Sequence, residues 1–209
     1  MQLENIRKSY NLNALTRSDL TDTPIDLFEK WVKEAVTEDV IEPNAFNLST
    51  IRKDGFPSSR IVLLKGIKNN KLLFYTNYNS NKGTEIAHNN KVSVVFFWPQ
   101  LQRQIRIIGT VQKTSSEQSD DYFHSRPIGS QIGANISPQS QVIEHRSILE
   151  KAYKELEASK LPMKRPSYWG GYEITPLTFE FWQGRTSRLH DRFIYEQVNN
   201  EWQINRLAP

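Results

Sequence analysis

The feature that most constrains the fold is a series of short runs rich in Val, Ile, Leu and Phe. Five of them follow one another in the first half of the chain: AFNLSTIRK, SSRIVLLKG, KLLFYTN, KVSVVFFW and RQIRIIGTVQK. Such runs are typical of β-strands. The Asp-Gly pair at residues 54–55 is a hairpin-turn signal, and residues 68–70 (Lys-Asn-Asn) resemble a turn. Because the connections are short, we predict that most neighbouring strands pair antiparallel.

Helical patterns are attached to this set of strands. Thr23 and Pro24 have the character of an N-cap and a first helical residue, and apolar residues follow at helical spacing. That predicted buried stripe comprises Leu27, Phe28, Trp31, Val32, Ala35 and Val36. Residues 115–124 and 141–159 also have helix-forming composition, and the LPMKRP segment at 161–166 interrupts the chain.

Further strand-like runs close the sequence: GGYEITP, LTFEFWQ, and SRLHDRFIYEQ paired with EWQINRL across residues 199–200. Strands therefore outnumber helices and mostly follow one another. This predicts a mainly β chain of the α+β class, built as a mostly antiparallel barrel with attached helices. Neither G-x-G-x-x-G nor G-x-x-x-x-G-K-[ST] occurs, so a doubly wound nucleotide-binding fold is not expected.

Composition sets the broad class of the protein. The 209 residues are 37% hydrophobic and include no cysteine, which predicts one globular domain without disulfides or thiolate zinc sites. We assign residues 23–209 to that domain and the polar residues 1–22 to a mobile arm. No apolar run reaches the ~18 residues of a membrane span, and we expect a cytoplasmic protein. The net charge of +4 is spread along the chain, which favours local anion sites over a nucleic-acid footprint.

A cluster of cations near the end of the chain is the strongest signal of a binding site. On a strand, Arg188, His190 and Arg192 would share one face. Two guanidinium groups so close repel each other unless an anion lies between them. A solvated edge strand with chance clustering of charge would give the same pattern. Trp182 and Gly184 lie just upstream and favour a binding site.

Two further segments suit phosphate binding. Arg60 and Lys65 bracket the apolar run IVLL, and their odd spacing lets both contact one ligand only if the strand end bends. A buried strand with charged ends that reach solvent is the plain alternative. Residues 75–82 supply hydroxyls, a lysine and the start of a short helix, although a polar loop alone would look similar.

Tyr122, Arg126 and Ser130 are spaced by four residues, as on a helix. Pro127 interrupts that helix, so we predict a helix end, a turn and a second short helix. A tyrosine, an arginine and a serine that converge there would bind a phosphate. The four histidines lack metal-binding spacing, and no metal is expected.

Several short motifs occur in the order seen in a known family. They are RIVLLK, FYTN, the loop at 80–82, RQIRIIG, YFHSRP, SQIGA, SPQS, SYWGG, EFWQG, RLHDRF and RLAP. From about residue 5 to residue 209, the chain therefore resembles the pyridoxine/pyridoxamine 5'-phosphate oxidase family. The resemblance implies a split β-barrel of the FMN-binding type, and a homodimer with FMN bound at the dimer interface. It also implies oxidation of pyridoxine or pyridoxamine 5'-phosphate to pyridoxal 5'-phosphate, with O₂ giving H₂O₂, and no nucleic-acid or membrane partner.

The resemblance also implies site residues. Contacts with FMN are expected from Arg60, Ile61, Val62, Leu63, Leu64, Lys65, Tyr75, Thr76, Lys82, Gln104, Gln139, Ser140, Trp182 and Arg192, some of them in the partner chain. Substrate is expected to contact Arg7, Lys8, Ser9, Tyr10, Lys65, Tyr122, Arg126, Ser130, Arg188 and His190. Arg188 and His190 would lie over the pyridine ring as the catalytic candidates. Whether His190 is a base or only positions the substrate stays open.

Two positions depart from the family pattern. Asn81 stands where the family usually has Arg, which removes one cation near the FMN phosphate and suggests weaker FMN binding. Asn135 stands where Trp is common, with no predicted consequence. The alternatives are a split-barrel flavin oxidase for another aromatic substrate, a non-catalytic protein that binds FMN or pyridoxal 5'-phosphate, and a nucleic-acid-binding barrel.

Overall fold

The computed structural model describes residues 3–6 and 8–209, and within these residues nine strands form one sheet. The strands are β1 (Ala45–Ile51), β2 (Pro57–Leu63), β3 (Gly66–Lys68), β4 (Lys71–Asn77), β5 (Lys91–Trp98), β6 (Arg103–Lys113), β7 (Trp169–Gln183), β8 (Asp191–Val198) and β9 (Glu201–Leu207). The α-helices are α1 (Pro24–Thr37), α2 (Asn81–His88), α3 (Ser116–Ser125), α4 (Ile128–Ile136) and α5 (Arg146–Ala158).

The sheet curls into an open barrel because β7 is shared by two halves. The strand order is β2-β1-β5-β6-β7-β4-β3, and β8 pairs with β7 and β9. The first part of β7 pairs with β4 and its last part with β8, while β6 runs along its other edge. The Lys65 N–H donates to the Leu73 carbonyl at 2.8 Å and ties the chain after β2 to β4. Every strand pair is antiparallel, which confirms the predicted α+β barrel.

Turn residues set the register of the hairpins. Gly55, between β1 and β2, has φ +85°. Asn69 and Asn70 have φ of 50° and 61°, and Asn199 and Asn200 have φ of 51° and 66°. Two successive positive φ angles are the backbone of a tight hairpin turn, and asparagine tolerates them better than most residues. The three predicted turns are therefore confirmed.

Helix α1 packs its apolar face on the core of the barrel. The Thr23 side chain accepts the Asp26 N–H, and Pro24 is the first helical residue, as predicted. Phe28 and Trp31 are buried in a largely aromatic core. Val36 was expected in the buried stripe but is 58% exposed, because it lies at the edge of the stripe, one residue past the fully buried Ala35.

Strand β7 spans two runs that were expected to be separate strands. Its register shifts where Gly109 pairs with Pro176 and the next pair involves Thr178, so Leu177 is extra. Pro176 has no N–H to donate, so an irregularity at this point keeps the rest of the strand paired. A Cβ on Gly109 would collide with the Thr175 carbonyl, so only glycine allows this approach.

The strand predicted to carry Arg188, His190 and Arg192 on one face begins later than expected. Residues 186–188 form a 3-10 turn in which Ser187 and Arg188 have φ of 55° and 61°. Strand β8 starts only at Asp191. The prediction that the three cations share one strand face is therefore wrong, because left-handed backbone at the turn breaks the alternation. Helix α5 likewise begins after residue 145, beyond a turn at 138–141.

Part of the predicted arm contacts the barrel. Leu15 is 2% exposed, and its N–H donates to the Asp191 carboxylate at 3.2 Å. The Tyr10 ring meets the Trp182 ring at 5.8 Å. The division at residues 22 and 23 and the mobility of the arm stay predictions. None of the helices in the described part of the chain has the length and apolar character that crossing a bilayer requires.

Candidate active site

A cavity of about 800 Å³ lies where β2, β4, α2, α3 and α4 meet. Small-molecule sites typically enclose about 300–1,000 Å³. The predicted site residues that line the cavity are Arg60, Ile61, Val62, Leu63, Lys65, Tyr75, Thr76, Lys82, Tyr122, Arg126, Ser130 and Gln139. Residues far apart in sequence thus converge on one site.

The chain bends at the end of β2, which brings Arg60 and Lys65 to the same cavity. The Leu64 N–H donates to the Asn44 carbonyl at 2.8 Å, whereas the Lys65 N–H donates to Leu73 on β4. The backbone therefore changes partners between these two residues, and this is the bend that the odd spacing required. The Leu64 side chain is buried in the core and does not line the cavity.

A buried carboxylate holds Arg60 at the cavity wall. Arg60 Nη2 is 2.9 Å from Glu85 Oε2 and 2.6 Å from Ser58 Oγ, and its Nη1 donates to Thr50. The Thr50 hydroxyl also donates to Glu85. Sequence reasoning missed Glu85, although its place three residues after Lys82 on one helix was an available signal.

Lys82 is a buried cation near the start of α2. It is 8% exposed, and its Nζ lies 3.2 Å from Thr76 Oγ1 and 3.3 Å from Ser80 Oγ. Burial lowers the pKa of Lys82, and the neighbouring Arg60 lowers it further. Ser80 caps the helix by accepting the Gly83 N–H. Hydroxyls, an ammonium group and a helix start together suit a phosphate.

Arg126 lies in the break between α3 and α4, beside Pro127, as the sequence predicted. Its Nη1 is buried and has no hydrogen-bond partner among the residues that the structure describes. The guanidinium lies 4.5 Å from the Trp169 ring centroid, and burial lowers the pKa of Arg126. Because buried donors are normally satisfied, this nitrogen on the cavity wall is available to donate to a bound acceptor.

An aromatic wall stands next to Arg126. The Tyr75 and Tyr122 rings stack at 3.7 Å, and the Tyr122 and Trp169 planes differ by only 3°. Burial raises the pKa of both tyrosines, so their hydroxyls stay neutral and can donate hydrogen bonds. Sequence reasoning gave Trp169 no role, although it precedes a Gly-Gly pair in the SYWGG motif.

The other predicted site residues lie away from this cavity in the single chain. Those that do not line it are Lys8, Ser9, Tyr10, Leu64, Gln104, Ser140, Trp182, Arg188, His190 and Arg192. Arg7 lies outside the described residues. Several of them form a second cluster, in which the Trp182 and His190 rings meet at 4.7 Å. Gln104 and Arg192 are the cross-strand partners of Trp182.

Arg192 is held within its own chain. Its Nε and Nη2 lie 2.9 and 2.8 Å from Glu180 Oε1, and its Nη1 donates to the Ala208 carbonyl at 2.7 Å. Glu180 also accepts from Arg106 at 2.7 Å. One buried carboxylate thus faces two guanidinium groups, and the cluster keeps a positive charge.

His190 is fixed by the main chain. Its Nδ1 lies 3.0 Å from the Arg185 backbone nitrogen, whose N–H donates to it. Burial lowers the pKa of His190, with a smaller contribution from Arg188. Within the described residues, no cluster of His, Cys, Asp or Glu suits a metal ion.

The two departures from the family pattern have different surroundings. Asn81 is exposed at the first position of α2 and lines a neighbouring groove with Ser58 and Glu85, not the cavity. Asn135 is tied into its own region, because its Nδ2 donates to the Gln131 and Lys164 carbonyls.

Two family profiles match the chain and together span most of it. Residues 32–160 match the profile described as pyridoxamine 5'-phosphate oxidase. Residues 169–209 match the pyridoxine 5'-phosphate oxidase C-terminal dimerisation region.

Relatives match over their whole length. Pyridoxine/pyridoxamine 5'-phosphate oxidase of Leptospira interrogans is 49% identical, over 100% of this chain and 99% of the relative. The enzyme of that name from Rhodopirellula baltica is 48% identical, over 99% of this chain and 96% of the relative. The structure of PhzG from Burkholderia lata 383, in complex with tetrahydrophenazine-1-carboxylic acid, has a TM-score of 0.91 at 29% identity, over 97% of this chain and all of that one. An FMN-binding protein of Nostoc punctiforme shares the fold, with a TM-score of 0.73 at 16% identity. The match covers 91% of this chain and 100% of that one. The chain therefore belongs to the pyridoxine/pyridoxamine 5'-phosphate oxidase family.

Proposed function

We propose that this protein oxidises pyridoxine 5'-phosphate and pyridoxamine 5'-phosphate to pyridoxal 5'-phosphate, with FMN as cofactor. The observation that carries the proposal is the cavity with two separate sets of cations. Lys82 lies beside Arg60 near the start of α2, and we assign Lys65 and Arg126, which line the same cavity, to the second set. Two phosphorylated molecules bound side by side need two such sets. The names of the full-length relatives support the same activity.

The residues present fit FMN and a phosphorylated pyridine. Lys82, Arg60 and Thr76 suit the FMN phosphate, and the apolar stretch 61–63 suits a flat ring between the two cation sets. The orphaned Arg126 Nη1 is a donor for the substrate phosphate, beside Lys65 and the hydroxyls of Tyr122 and Ser130. The volume of about 800 Å³ leaves room for both.

We also propose that the active unit is a homodimer. Ile61, Phe97 and Ile108 are 64%, 53% and 49% exposed, although all three belong to paired strands. Cross-strand pairing places Phe97 on the same sheet face as Gln104 and Trp182. A large exposed apolar face of this kind supports association with another copy. Ile61 also lines the cavity, so a second copy on this face would approach it.

The division of roles between cofactor and chain follows from this arrangement. Bound FMN would supply the hydride acceptor and the route for electrons to O₂, which would be reduced to hydrogen peroxide. The chain binds the two phosphates, sets the pyridine ring against the cofactor and excludes water. Arg188 of the second cluster adds positive charge near the ring, which favours the charge that develops during hydride transfer. The amine substrate would give an imine, which water then hydrolyses to the aldehyde with release of ammonia.

The test is a spectrum followed by turnover. Purified protein is expected to be yellow and to form pyridoxal 5'-phosphate and peroxide from pyridoxine 5'-phosphate under air. Unphosphorylated pyridoxine is the matched control and is expected to react poorly. A yellow protein that produces no peroxide would instead be a carrier or sensor. A cytoplasmic location remains a prediction.

A second candidate is oxidation of another aromatic substrate. The PhzG structure supports it, because that similar protein was solved with a tetrahydrophenazine carboxylic acid. The cation pair of Lys65 and Arg126 favours the phosphorylated pyridine. Faster turnover of a tetrahydrophenazine than of pyridoxine 5'-phosphate would reverse this preference.

A further inference from the structure

The two ring nitrogens of His190 have different surroundings. The Arg185 backbone N–H donates to Nδ1 at 3.0 Å. A backbone N–H is only a donor, so Nδ1 must present its lone pair. In a neutral imidazole the proton then resides on Nε2, because the bond made by one nitrogen fixes the state of the other.

The loop that presents the Arg185 N–H is firmly anchored. The Gly184 N–H donates to the Gln102 carbonyl at 2.8 Å, and the buried Gln183 amide donates to the Leu101 and Gln102 carbonyls at 3.2 Å. The donor facing Nδ1 is therefore part of the backbone framework at the end of β7. It cannot turn away as a side chain would.

The charged groups around His190 disfavour its protonation. Arg188 is a cation close to the ring, and the Tyr10 ring centroid lies 5.9 Å from that of His190. The carboxylate of the adjacent residue, Asp191, binds Arg206 at 2.8 Å and Arg185 at 3.6 Å, and it accepts the Leu15 N–H. An imidazolium would also point an Nδ1–H at the Arg185 N–H, which would break the hydrogen bond.

We propose that His190 is held as the neutral Nε2–H tautomer and serves the oxidation as a hydrogen-bond donor, not as a proton acceptor. The proposal rests on the function proposed above and assigns the role of one residue within it. Because the Arg185 N–H occupies Nδ1, the Nε2–H is the hydrogen-bond donor of the ring that remains for a ligand acceptor atom.

The tautomer is tested directly by NMR on the FMN-bound protein. The chain has four histidines, so ¹⁵N-histidine labelling gives a small set of imidazole signals, and His190→Gln assigns the one of interest. The expected result at about pH 8 is a protonated Nε2 and an unprotonated Nδ1. A proton on Nδ1, or on both nitrogens, would overturn the proposal. This measurement does not depend on which substrate the enzyme turns over.

A matched pair of variants tests the role. Glutamine places an amide N–H near the position of Nε2, whereas asparagine places its amide near Nδ1. If His190 donates, His190→Gln is expected to lose kcat only slightly, and His190→Asn roughly 3- to 10-fold, the worth of one hydrogen bond.

A general base gives a different result. Because it contributes about 10²- to 10⁴-fold, both substitutions would then lower kcat by that amount. FMN content, measured from the absorption spectrum, separates these effects from loss of cofactor. Wild-type protein that fails to oxidise pyridoxine 5'-phosphate would refute the proposed function and leave the NMR result valid on its own.

Discussion

Among the predicted site residues, Arg126 is the best candidate to bind an anion, because a buried nitrogen of its guanidinium lacks a hydrogen-bond acceptor. We predict that Arg126→Gln lowers kcat/KM for pyridoxine 5'-phosphate about 10- to 150-fold, mostly through KM, since a charged hydrogen bond contributes about 1.5–3 kcal/mol. Steady-state kinetics measure this. Arg146→Gln on the exposed surface of α5 is the control and should change nothing. An unchanged KM in Arg126→Gln would place the substrate phosphate elsewhere.

Lys82 makes cofactor binding depend on pH. The phosphate needs the ammonium form, and the pKa of Lys82 is lowered from 10.5 by burial and then by Arg60. FMN affinity should therefore fall as pH rises through that lowered pKa, earlier than for an exposed lysine. Titration of apoprotein with FMN between about pH 7 and pH 10 measures the fall. Lys82→Arg should move it to higher pH, and a dissociation constant that is flat over this range would contradict the prediction.

Asn81 tests whether a missing cation weakens FMN binding. Arginine at the first position of α2 can reach from the neighbouring groove toward the phosphate bound at Lys82. Asn81→Arg is expected to tighten FMN binding by about tenfold, the effect of a charged contact weakened by solvent. Ala87→Arg adds the same charge on an exposed site in the last turn of the same helix and is the matched control. Equal affinities of native and Asn81→Arg protein would refute the hypothesis.

At the scale of elements, the end of β7 is the docking place of the arm. A Cβ on Gly184 would lie 2.9 Å from the Tyr10 ring, which contacts Trp182 and His190. We predict that Gly184→Ala displaces the arm, which raises KM and speeds trypsin cleavage after Arg17. Tyr10→Ala should act similarly.

The effects of Gly184→Ala and Tyr10→Ala on KM should not be additive. In the Tyr10→Ala background the side chain that Gly184→Ala displaces is already gone, so the second substitution is expected to change KM little. Additive effects on KM would show that Gly184 acts by some route other than the arm.

Local sequence signals predicted the elements well where the cause was local. The asparagine pairs and Gly55 adopt positive φ and set the hairpins, and Pro127 separates α3 from α4. The local signals gave the wrong secondary structure where tertiary contacts determine the backbone conformation. The RLHDR run alternates like a strand, but its first residues turn so that the Arg185 N–H meets His190. The β7 strand continues past Pro176 because β6 accommodates the irregularity.

At the scale of the whole molecule, the sequence predicted the cavity but not how its wall is supported. The family motifs predicted Arg60, Lys82 and Arg126 as site residues, and all three line one cavity. Glu85 and Trp169 were not predicted, because neither the spacing of Glu85 from Lys82 nor the SYWGG motif shows which arginine each residue contacts. Such supports become visible only when distant segments are packed together.

The second cluster lies outside the cavity of its own chain. If it belongs to the active site, as proposed, a second chain must bring it to the cavity. A doubly tagged heterodimer of an Arg126→Gln chain and an Arg188→Gln chain tests this. If each site combines the cavity of one chain with the Arg188 loop of the other, one site carries both substitutions and the other carries none. About half of the wild-type activity should then return, although each homodimer is impaired. If a single chain builds each site, both sites carry one substitution, and the heterodimer stays as impaired as its parents.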